Sequence, residues 1–190
     1  MSLLAARGLA VLRGGRLLVE GLDLELGAGE AVQVTGPNGA GKSSLLRCLA
    51  GLLAPAAGTI ERGAALALAD DRLPLDPELP LARALGFWAR VDGGARGVGE
   101  ALAGLGLLPL ADVPVRLLSS GQRKRAALTM VRMSGAPLWL LDEPLNALDQ
   151  DSIEQLDGLI AAHRENGGAV VVATHQPMAG AGWQSLALAS

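Results

Sequence analysis

The sequence predicts an α/β domain with a parallel sheet at its centre. Two apolar runs, residues 138–141 and 169–173, are continuous rather than alternating, which is typical of strands buried on both faces. Helical patterns separate these runs, and a glycine-rich loop joins a third run, residues 31–35, to a helix. Strands that alternate with helices favour a parallel sheet. The 190 residues fit a single domain of this class.

The composition excludes several other classes of protein. Half of the residues are hydrophobic, which supplies a core and excludes a disordered chain. No window reaches the roughly 18–20 uncharged apolar residues that a membrane-spanning helix needs. The formal net charge of −3 provides no overall basic field for nucleic acid. The single cysteine, Cys48, suits a reducing compartment, and no secretory signal is visible, so we expect a cytoplasmic location.

The amino-terminal part predicts strands around one helix. Residues 22–26 alternate Leu with acidic residues, a pattern typical of a strand with one exposed face. The run at 31–35 predicts a buried strand. Leucines at helical spacing predict a helix over residues 43–53, and residues 64–69 predict another strand.

Residues 73–118 interrupt this alternation. Pro and Gly punctuate the segment, and its helical patterns are short, so we expect a helical subdomain inserted into the core. Beyond it the sequence predicts a helix over 120–134 and a strand over 138–141. A helix over 149–166 and a last strand over 169–173 follow.

A glycine-rich loop after the strand 31–35 fits the strand–loop–helix pattern of a phosphate-binding loop. Glycines let successive backbone amides approach phosphate oxygens, and the following helix presents its positive end to the same anion. Lys42 would neutralise the β- and γ-phosphates, and the Ser43 hydroxyl would bind Mg²⁺. The alternative, a glycine-rich turn before an ordinary helix, does not account for the whole pattern. The predicted nucleotide-binding residues are Gly36, Pro37, Asn38, Gly39, Ala40, Gly41, Lys42, Ser43 and Ser44.

Two adjacent carboxylates end the strand at 138–141. Ligands of open parallel sheets bind at the carboxyl ends of the strands, which is where Asp142 and Glu143 fall. Asp142 would hold Mg²⁺, and Glu143 would orient or deprotonate the water that attacks the γ-phosphate. Taken alone, this pair is more simply explained as a solvated strand end. The phosphate loop upstream favours the functional interpretation.

Three further motifs resemble those of ABC-type ATP-binding cassettes. Residues 118–122, Leu-Ser-Ser-Gly-Gln, are similar to the signature motif of that family, and Gln122 lies 20 residues before Asp142. Ser119 to Gly121 also suit a helix cap, but we expect capping alone to require neither Gln122 nor this spacing. Residues 146–149 resemble the D-loop, and residues 174–176 resemble the switch-histidine segment. The resemblance therefore adds Ser119, Gly121, Gln122, Asp149 and His175 to the candidate site.

The resemblance implies a P-loop NTPase of the ABC cassette type, in which a parallel core carries a small antiparallel β part and the helical insertion. Such cassettes hydrolyse ATP with Mg²⁺ and act as homodimers that sandwich two ATP molecules. The signature motif of each copy then acts on the nucleotide of the other, and His175 contacts the γ-phosphate and the attacking water. The other histidine, His163, has no such context and is predicted to be a surface residue. Catalysis is assigned to Glu143, His175 and Lys42.

Two positions depart from the cassette pattern. Arg13, 23 residues before Gly36, stands where the family offers an aromatic side chain to adenine. A guanidinium plane can stack on a base, so Arg13 is a candidate nucleotide contact. The family's Q-loop glutamine has no counterpart in residues 69–72, where Asp70 or Asp71 is a candidate replacement towards Mg²⁺.

The narrower resemblance is to the haem-exporter ATP-binding subunits of bacterial cytochrome c maturation, the CcmA family. It rests on residues 136–144, residues 167–177 and Arg13, whereas Asp70 to Arg72 depart from the Gly-His-Gln that is usual there. It implies a peripheral protein on the cytoplasmic face of the inner membrane, with integral membrane partners of the CcmB and CcmC type. Apolar surface in residues 73–118 would meet them. The alternatives are the cassette of another small exporter, a non-transport ATPase of the iron–sulfur assembly type, or a nucleotide-gated subunit that scarcely hydrolyses.

Overall fold

A computed structural model describes residues 2–91 and 97–188 of the chain. The strands are β1 (Ser2–Arg13), β2 (Arg16–Gly27), β3 (Ala31–Thr35), β4 (Ala57–Arg62), β5 (Leu66–Ala69), β6 (Leu138–Asp142), β7 (Ala169–Ala173) and β8 (Trp183–Ala187). The helices are α1 (Lys42–Leu49), α2 (Leu81–Val91), α3 (Val98–Ala103), α4 (Ser120–Ser134) and α5 (Gln150–Glu165). Two short 3₁₀ turns, Leu108–Leu110 and Val115–Leu117, precede α4.

The strands form two sheets. A five-stranded sheet has the order β5-β6-β7-β3-β8, and the pairs β6–β7, β7–β3 and β3–β8 are parallel. A three-stranded sheet has the order β2-β1-β4 and is antiparallel. The predicted α/β class, with a parallel core and a small antiparallel part, is confirmed.

The chain divides into two compact units. The first comprises residues 1–68, 136–143 and 160–190, and the second comprises residues 69–135 and 144–159. Leucines and valines from both sheets and α1 form the core of the first unit. The helices α2, α3 and α4 pack around the core of the second. The described residues of the segment 73–118 all belong to the second unit, and the extent of this segment as an inserted subdomain stays a prediction.

Several elements match the sequence interpretation, and the differences have physical causes. The strand over 31–35, the helix over 120–134 and the strand over 169–173 have the predicted bounds. The helix predicted over 43–53 ends at Leu49. Its last carbonyls, those of Cys48 and Leu49, accept hydrogen bonds from the Arg62 guanidinium at 2.9 and 2.7 Å, which satisfies the helix end early.

Strand β1 was not predicted because bulges disrupt its alternation. Register shifts at Ala6/Leu9 and Leu9/Val11 bury consecutive residues instead of every second one. The strand over 169–173 is also not the last, because β8 follows it and pairs with β3. No helix in the described ranges, 2–91 and 97–188, has the length and apolarity needed to cross a membrane.

Candidate nucleotide-binding and hydrolysis site

The loop between β3 and α1 requires glycine at two positions. Gly36 has φ +144°, and a Cβ there would lie 2.8 Å from the Leu188 carbonyl oxygen. Gly41 has φ +102°, and a Cβ there would lie 2.8 Å from the Leu18 Cβ. Both backbone conformations and both close approaches exclude a side chain. The loop backbone thus packs closely against Leu188 and Leu18, and the loop leads directly into the N-terminus of α1.

Lys42 is the first residue of α1, and its side chain turns back into the loop. The residue is only 6% exposed. Its ammonium donates to the carbonyl oxygens of Gly36 and Pro37 at 2.8 and 3.4 Å. Nζ also lies 3.7 Å from Oε1 of Glu143. The buried ammonium is therefore held inside the loop, and the carboxylate of the residue that follows β6 lies beside it.

Glu143 joins this lysine to the histidine that follows β7. Oε2 of Glu143 lies 3.0 Å from Nδ1 of His175. An ionised carboxylate can only accept, so Nδ1 carries the hydrogen and the other ring nitrogen remains available to a ligand. Three residues that the sequence predicts to be catalytic thus form one connected network in the first unit.

The backbone of Glu143 is strained. Its φ is +44°, in the left-handed region that residues with a side chain rarely adopt. Its N–H donates to the Ala173 carbonyl at 2.7 Å, which extends the pairing of β6 and β7 by one residue. Strain of this kind persists where the surroundings dictate the conformation, and it clusters at functional sites.

A cavity of about 330 Å³ opens beside this network. Its walls include Arg13, Leu18 and Glu143, and the phosphate loop and the start of α1 supply the rest of the lining: Pro37, Asn38, Gly39, Gly41, Lys42, Ser43 and Ser44. Leu18 was not singled out from the sequence. It packs against Gly41, so a tertiary contact rather than a motif brings it here.

Arg13 reaches the same cavity from the end of β1. Its Nη1 donates to the Ser44 hydroxyl at 3.4 Å. Arg13 and Arg16 face each other across the hairpin turn at Gly14 and Gly15, both of which have positive φ. The turn therefore places a guanidinium at the mouth of the cavity.

Oxygen donors for a divalent cation are present in the first unit. The Ser43 hydroxyl lines the cavity, and Asp142, at the end of β6, is 7% exposed. Hydroxyl and carboxylate oxygens suit the hard cation Mg²⁺, so these residues fit the predicted metal. Asp70 and Asp71, the two suggested replacements for the Q-loop glutamine, belong to the second unit. The Asp70 carboxylate accepts a hydrogen bond from the Arg72 backbone N–H at 2.9 Å.

The signature residues lie in the second unit, at the start of α4. Ser119 is the N-cap, and its hydroxyl accepts from the Gln122 N–H at 3.2 Å. The Gln122 side chain accepts from the Ser119 N–H at 2.8 Å, which completes a capping box. The expectation that capping does not require Gln122 was therefore wrong, because a glutamine three residues after a serine cap serves the cap itself.

The loop 146–149 lies against this helix start. A Cβ on Gly121 would overlap the carbonyl oxygen of Ala147, a residue with φ +64°. Asp149 accepts a hydrogen bond from the Ser152 backbone N–H at 2.9 Å and so caps α5. Hydrogen bonds from the hydroxyl and the backbone of Ser152 lower the pKa of Asp149. The signature and D-loop residues thus belong to one tightly packed corner of the second unit.

His163 was predicted to be a surface residue, and the structure corrects this. Its ring stacks on Trp139 with a centroid distance of 3.8 Å, and Nε2 lies 3.2 Å from the Pro137 carbonyl oxygen. A Cβ on Gly168 would overlap the ring. The histidine is half-buried and fastens the end of α5 to the start of β6.

The parallel α/β fold and the glycine-rich loop between β3 and α1 place this chain in the class of nucleotide-binding P-loop proteins. The sequence profile of the ABC transporter family matches residues 19–146. The "Cytochrome c biogenesis ATP-binding export protein CcmA" of Novosphingobium aromaticivorans is 57% identical over 176 residues, which cover 93% of this chain and 90% of that protein. The protein of the same name from Sphingopyxis alaskensis is 55% identical over 178 residues, which cover 93% and 92%. The chain therefore belongs to the ABC transporter family and, within it, to the ATP-binding proteins named CcmA.

The fold agrees with a solved structure of the same class. A chain described as the ATP-binding subunit of an ABC transporter superposes with a TM-score of 0.81 at 22% identity, over 91% of this chain and 79% of that one. At this identity the likeness concerns the fold alone.

Proposed function

We propose that this chain is the ATP-hydrolysing subunit of a haem exporter that serves cytochrome c biogenesis. The name of the CcmA relatives supports the biological setting. The contact of Glu143 with both Lys42 and His175 carries the proposal of hydrolysis, because it joins a phosphate-binding cation, a carboxylate base and an imidazole.

Each side chain has a distinct part in hydrolysis. The loop amides and Lys42 bind the β- and γ-phosphates. Glu143 orients the attacking water and accepts its proton as the new oxygen–phosphorus bond forms and the bond to the β-phosphate oxygen breaks, which yields ADP and phosphate. His175 holds Glu143 through Nδ1 and contacts the γ-phosphate through its other nitrogen. Ser43 and Asp142 would hold Mg²⁺, which supplies charge neutralisation at the phosphate oxygens.

A second copy of the chain would complete each nucleotide site. The signature residues lie at the N-terminus of α4, a 15-residue helix whose first turn offers backbone N–H groups and hydroxyls to an anion. In the proposed homodimer, Ser119, Gly121 and Gln122 of one copy would contact the ATP held by the loop of the other. Asp149 would couple the two sites. ATP binding would then close the dimer and hydrolysis would open it.

The second unit carries apolar side chains that suit a membrane partner. Phe87, Val91, Leu108 and Leu117 are 52%, 60%, 51% and 61% exposed. Contiguous exposed apolar side chains are typical of interaction surfaces, and we propose that these four belong to one such surface. We place integral membrane subunits of the CcmB and CcmC type on this surface, with the chain on the cytoplasmic face of the bacterial inner membrane.

Arg13 is proposed to hold the nucleotide at the mouth of the cavity. Its bond to the Ser44 hydroxyl brings the guanidinium to the start of α1, so charge as well as stacking is available to it. The nucleotide affinities of Arg13→Tyr and Arg13→Lys distinguish stacking on the base from a charge contact with phosphate. Stacking predicts that Tyr retains ATP affinity and Lys loses it, whereas a phosphate contact predicts the reverse. Unchanged affinity in Arg13→Ala would remove Arg13 from the site.

Co-purification from mild detergent tests the transport role. The tagged chain is expected to retain integral membrane subunits, and the complex is expected to bind haem. A Phe87→Asp/Leu117→Asp variant should lose these subunits, while Leu52→Asp, at a leucine of the first unit that is 70% exposed, should keep them. Recovery from the soluble fraction without any membrane partner would contradict the transporter proposal and favour a non-transport ATPase. Retention of membrane subunits without haem would favour another exporter.

A further inference from the structure

Gln33 is a polar residue inside an otherwise apolar strand. It is the third residue of β3, between Val32 and Val34, both of which are buried. Its backbone pairs with Val172 of β7 and Ser185 of β8. A half-buried amide in this sheet must find hydrogen-bond partners, or it costs stability.

The Gln33 amide finds both partners in the segment that follows His175. Nε2 donates to the Gln176 carbonyl oxygen at 2.7 Å, and Oε1 accepts from the Met178 N–H at 3.4 Å. One partner is an acceptor and the other a donor, so a single orientation of the amide satisfies both. The side chain therefore bridges the two residues on either side of Pro177.

His175 is held between two attachments to β3. On one side, the Thr174 N–H donates to the Val34 carbonyl at 3.1 Å. On the other, Gln33 holds Gln176 and Met178. The His175 side chain itself is 54% exposed, and its hydrogen bond in the described structure is the one to Glu143. Packing does not fix an exposed ring, so its position depends on these backbone attachments.

We infer that Gln33 is a positioning residue for hydrolysis: it fixes the segment 176–178 so that Nδ1 of His175 reaches the Glu143 carboxylate. This inference rests on the proposed ATPase function. It also links the strand that leads into the phosphate loop to the segment that carries the switch histidine.

Gln33→Met tests the inference, because it keeps the length of the side chain and removes both hydrogen bonds. A displaced catalytic group lowers turnover, so we expect kcat for ATP to fall about tenfold, while KM and nucleotide affinity stay within about twofold. Gln33→Glu should also lower kcat, because a carboxylate would face the Gln176 carbonyl. Gln184→Met, at an exposed glutamine of β8, is the matched control and should behave as wild type.

Combination with His175→Ala separates positioning from a general structural effect. If Gln33 acts through His175, Gln33→Met should change kcat by less than about twofold in the His175→Ala background. A further tenfold loss there would overturn the inference. A change in KM with an unchanged kcat would also overturn it, because it would place the effect at the phosphate loop.

A spectroscopic measurement tests the same contact without activity. The chain has two histidines, so the ring ¹⁵N signals of His175 can be assigned with a His163→Asn variant. Wild type and Gln184→Met should show a hydrogen on Nδ1 of His175, and Gln33→Met should weaken this preference for Nδ1. An unchanged signature in Gln33→Met would overturn the inference. A wild type that does not hydrolyse ATP would instead contradict the proposed function, and the ¹⁵N comparison would still decide the role of Gln33.

Discussion

The two groups of motif residues are held in place in different ways. In the first unit, Lys42, Glu143 and His175 come from three separate elements, and the Glu143 side chain contacts the side chains of the other two. In the second unit, Ser119 bonds Gln122 and Asp149 bonds Ser152, each across three residues. The geometry of the first group therefore depends on how β3, β6 and β7 pair. The second group is shaped mainly by the caps of its own helices.

This difference predicts where substitutions act. A change in the first group should alter chemistry or nucleotide binding, because its side chains meet at the site. A change in the second group should first alter the local stability of a helix start. Four substitutions test this difference between the two groups, and they follow in order of decreasing expected effect.

Glu143→Gln should have the largest effect. The amide keeps the shape of the side chain and cannot accept the proton of the attacking water, so we expect kcat to fall by about 100-fold or more. ATP should still bind, and ATP-bound dimers should accumulate. Phosphate release and size-exclusion chromatography with ATP measure the two outcomes. Turnover close to wild type would remove Glu143 from its catalytic role.

Lys42→Ala should weaken nucleotide binding itself. Loss of a charge-assisted contact to phosphate costs about 1.5–3 kcal/mol, which corresponds to a roughly 10- to 150-fold weaker affinity. Equilibrium binding of a fluorescent ATP analogue measures it. Lys124→Ala, at the other described lysine, is the control. Equal affinities for the two variants would show that Lys42 does not contact the nucleotide.

Gly121→Ala should destabilise the second unit. The added Cβ would overlap the Ala147 carbonyl oxygen, and overpacking of this kind costs about 1–3 kcal/mol. Gly158→Ala is a matched control that should change the free energy of unfolding in the opposite direction. Gly158 lies within α5, and nothing lies within 4 Å of the added Cβ. Alanine there should stabilise the helix by about 0.5–1 kcal/mol. Denaturant unfolding measures both, and two changes of the same sign would contradict the packing argument.

Asp149→Asn should have the smallest effect, and it should depend on pH. Hydrogen bonds from Ser152 lower the folded-state pKa of Asp149. Ionised Asp149 therefore adds stability above its unfolded pKa, and this stability is lost as the pH falls through the lowered folded pKa. The Tm advantage of wild type over Asp149→Asn should shrink on acidification below about pH 4. The control is Asp151→Asn, because Asp151 lies two residues further along the chain and its carboxylate does not accept the Ser152 hydrogen bond. If Asp151→Asn showed the same pH dependence of Tm, the effect could not be assigned to the Ser152 hydrogen bonds.

The sequence predicted the parallel strands and α4 well because their patterns are local. It missed β4 and β8, which are largely exposed and carry no apolar periodicity, and it missed β1 because of its bulges. The motifs pointed to Lys42, Glu143 and His175, whose roles stay predictions. The contacts of Leu18 and Gln33 arise from strand pairing that no local pattern encodes. The only signal for Gln33 was a polar residue within an apolar run.

Mixing two inactive variants tests most directly whether two copies of the chain share each nucleotide site. Lys42→Ala disables the phosphate loop, and Ser119→Asp keeps a capping side chain at the start of α4 while it places a carboxylate where the signature motif would meet phosphate. Each variant alone should hydrolyse little ATP. A mixed dimer has one site built from the intact loop of the second variant and the intact signature of the first. We expect ATP hydrolysis by the mixture to rise well above that of either variant alone. A mixture as inactive as its components would contradict a site that two copies of this chain share.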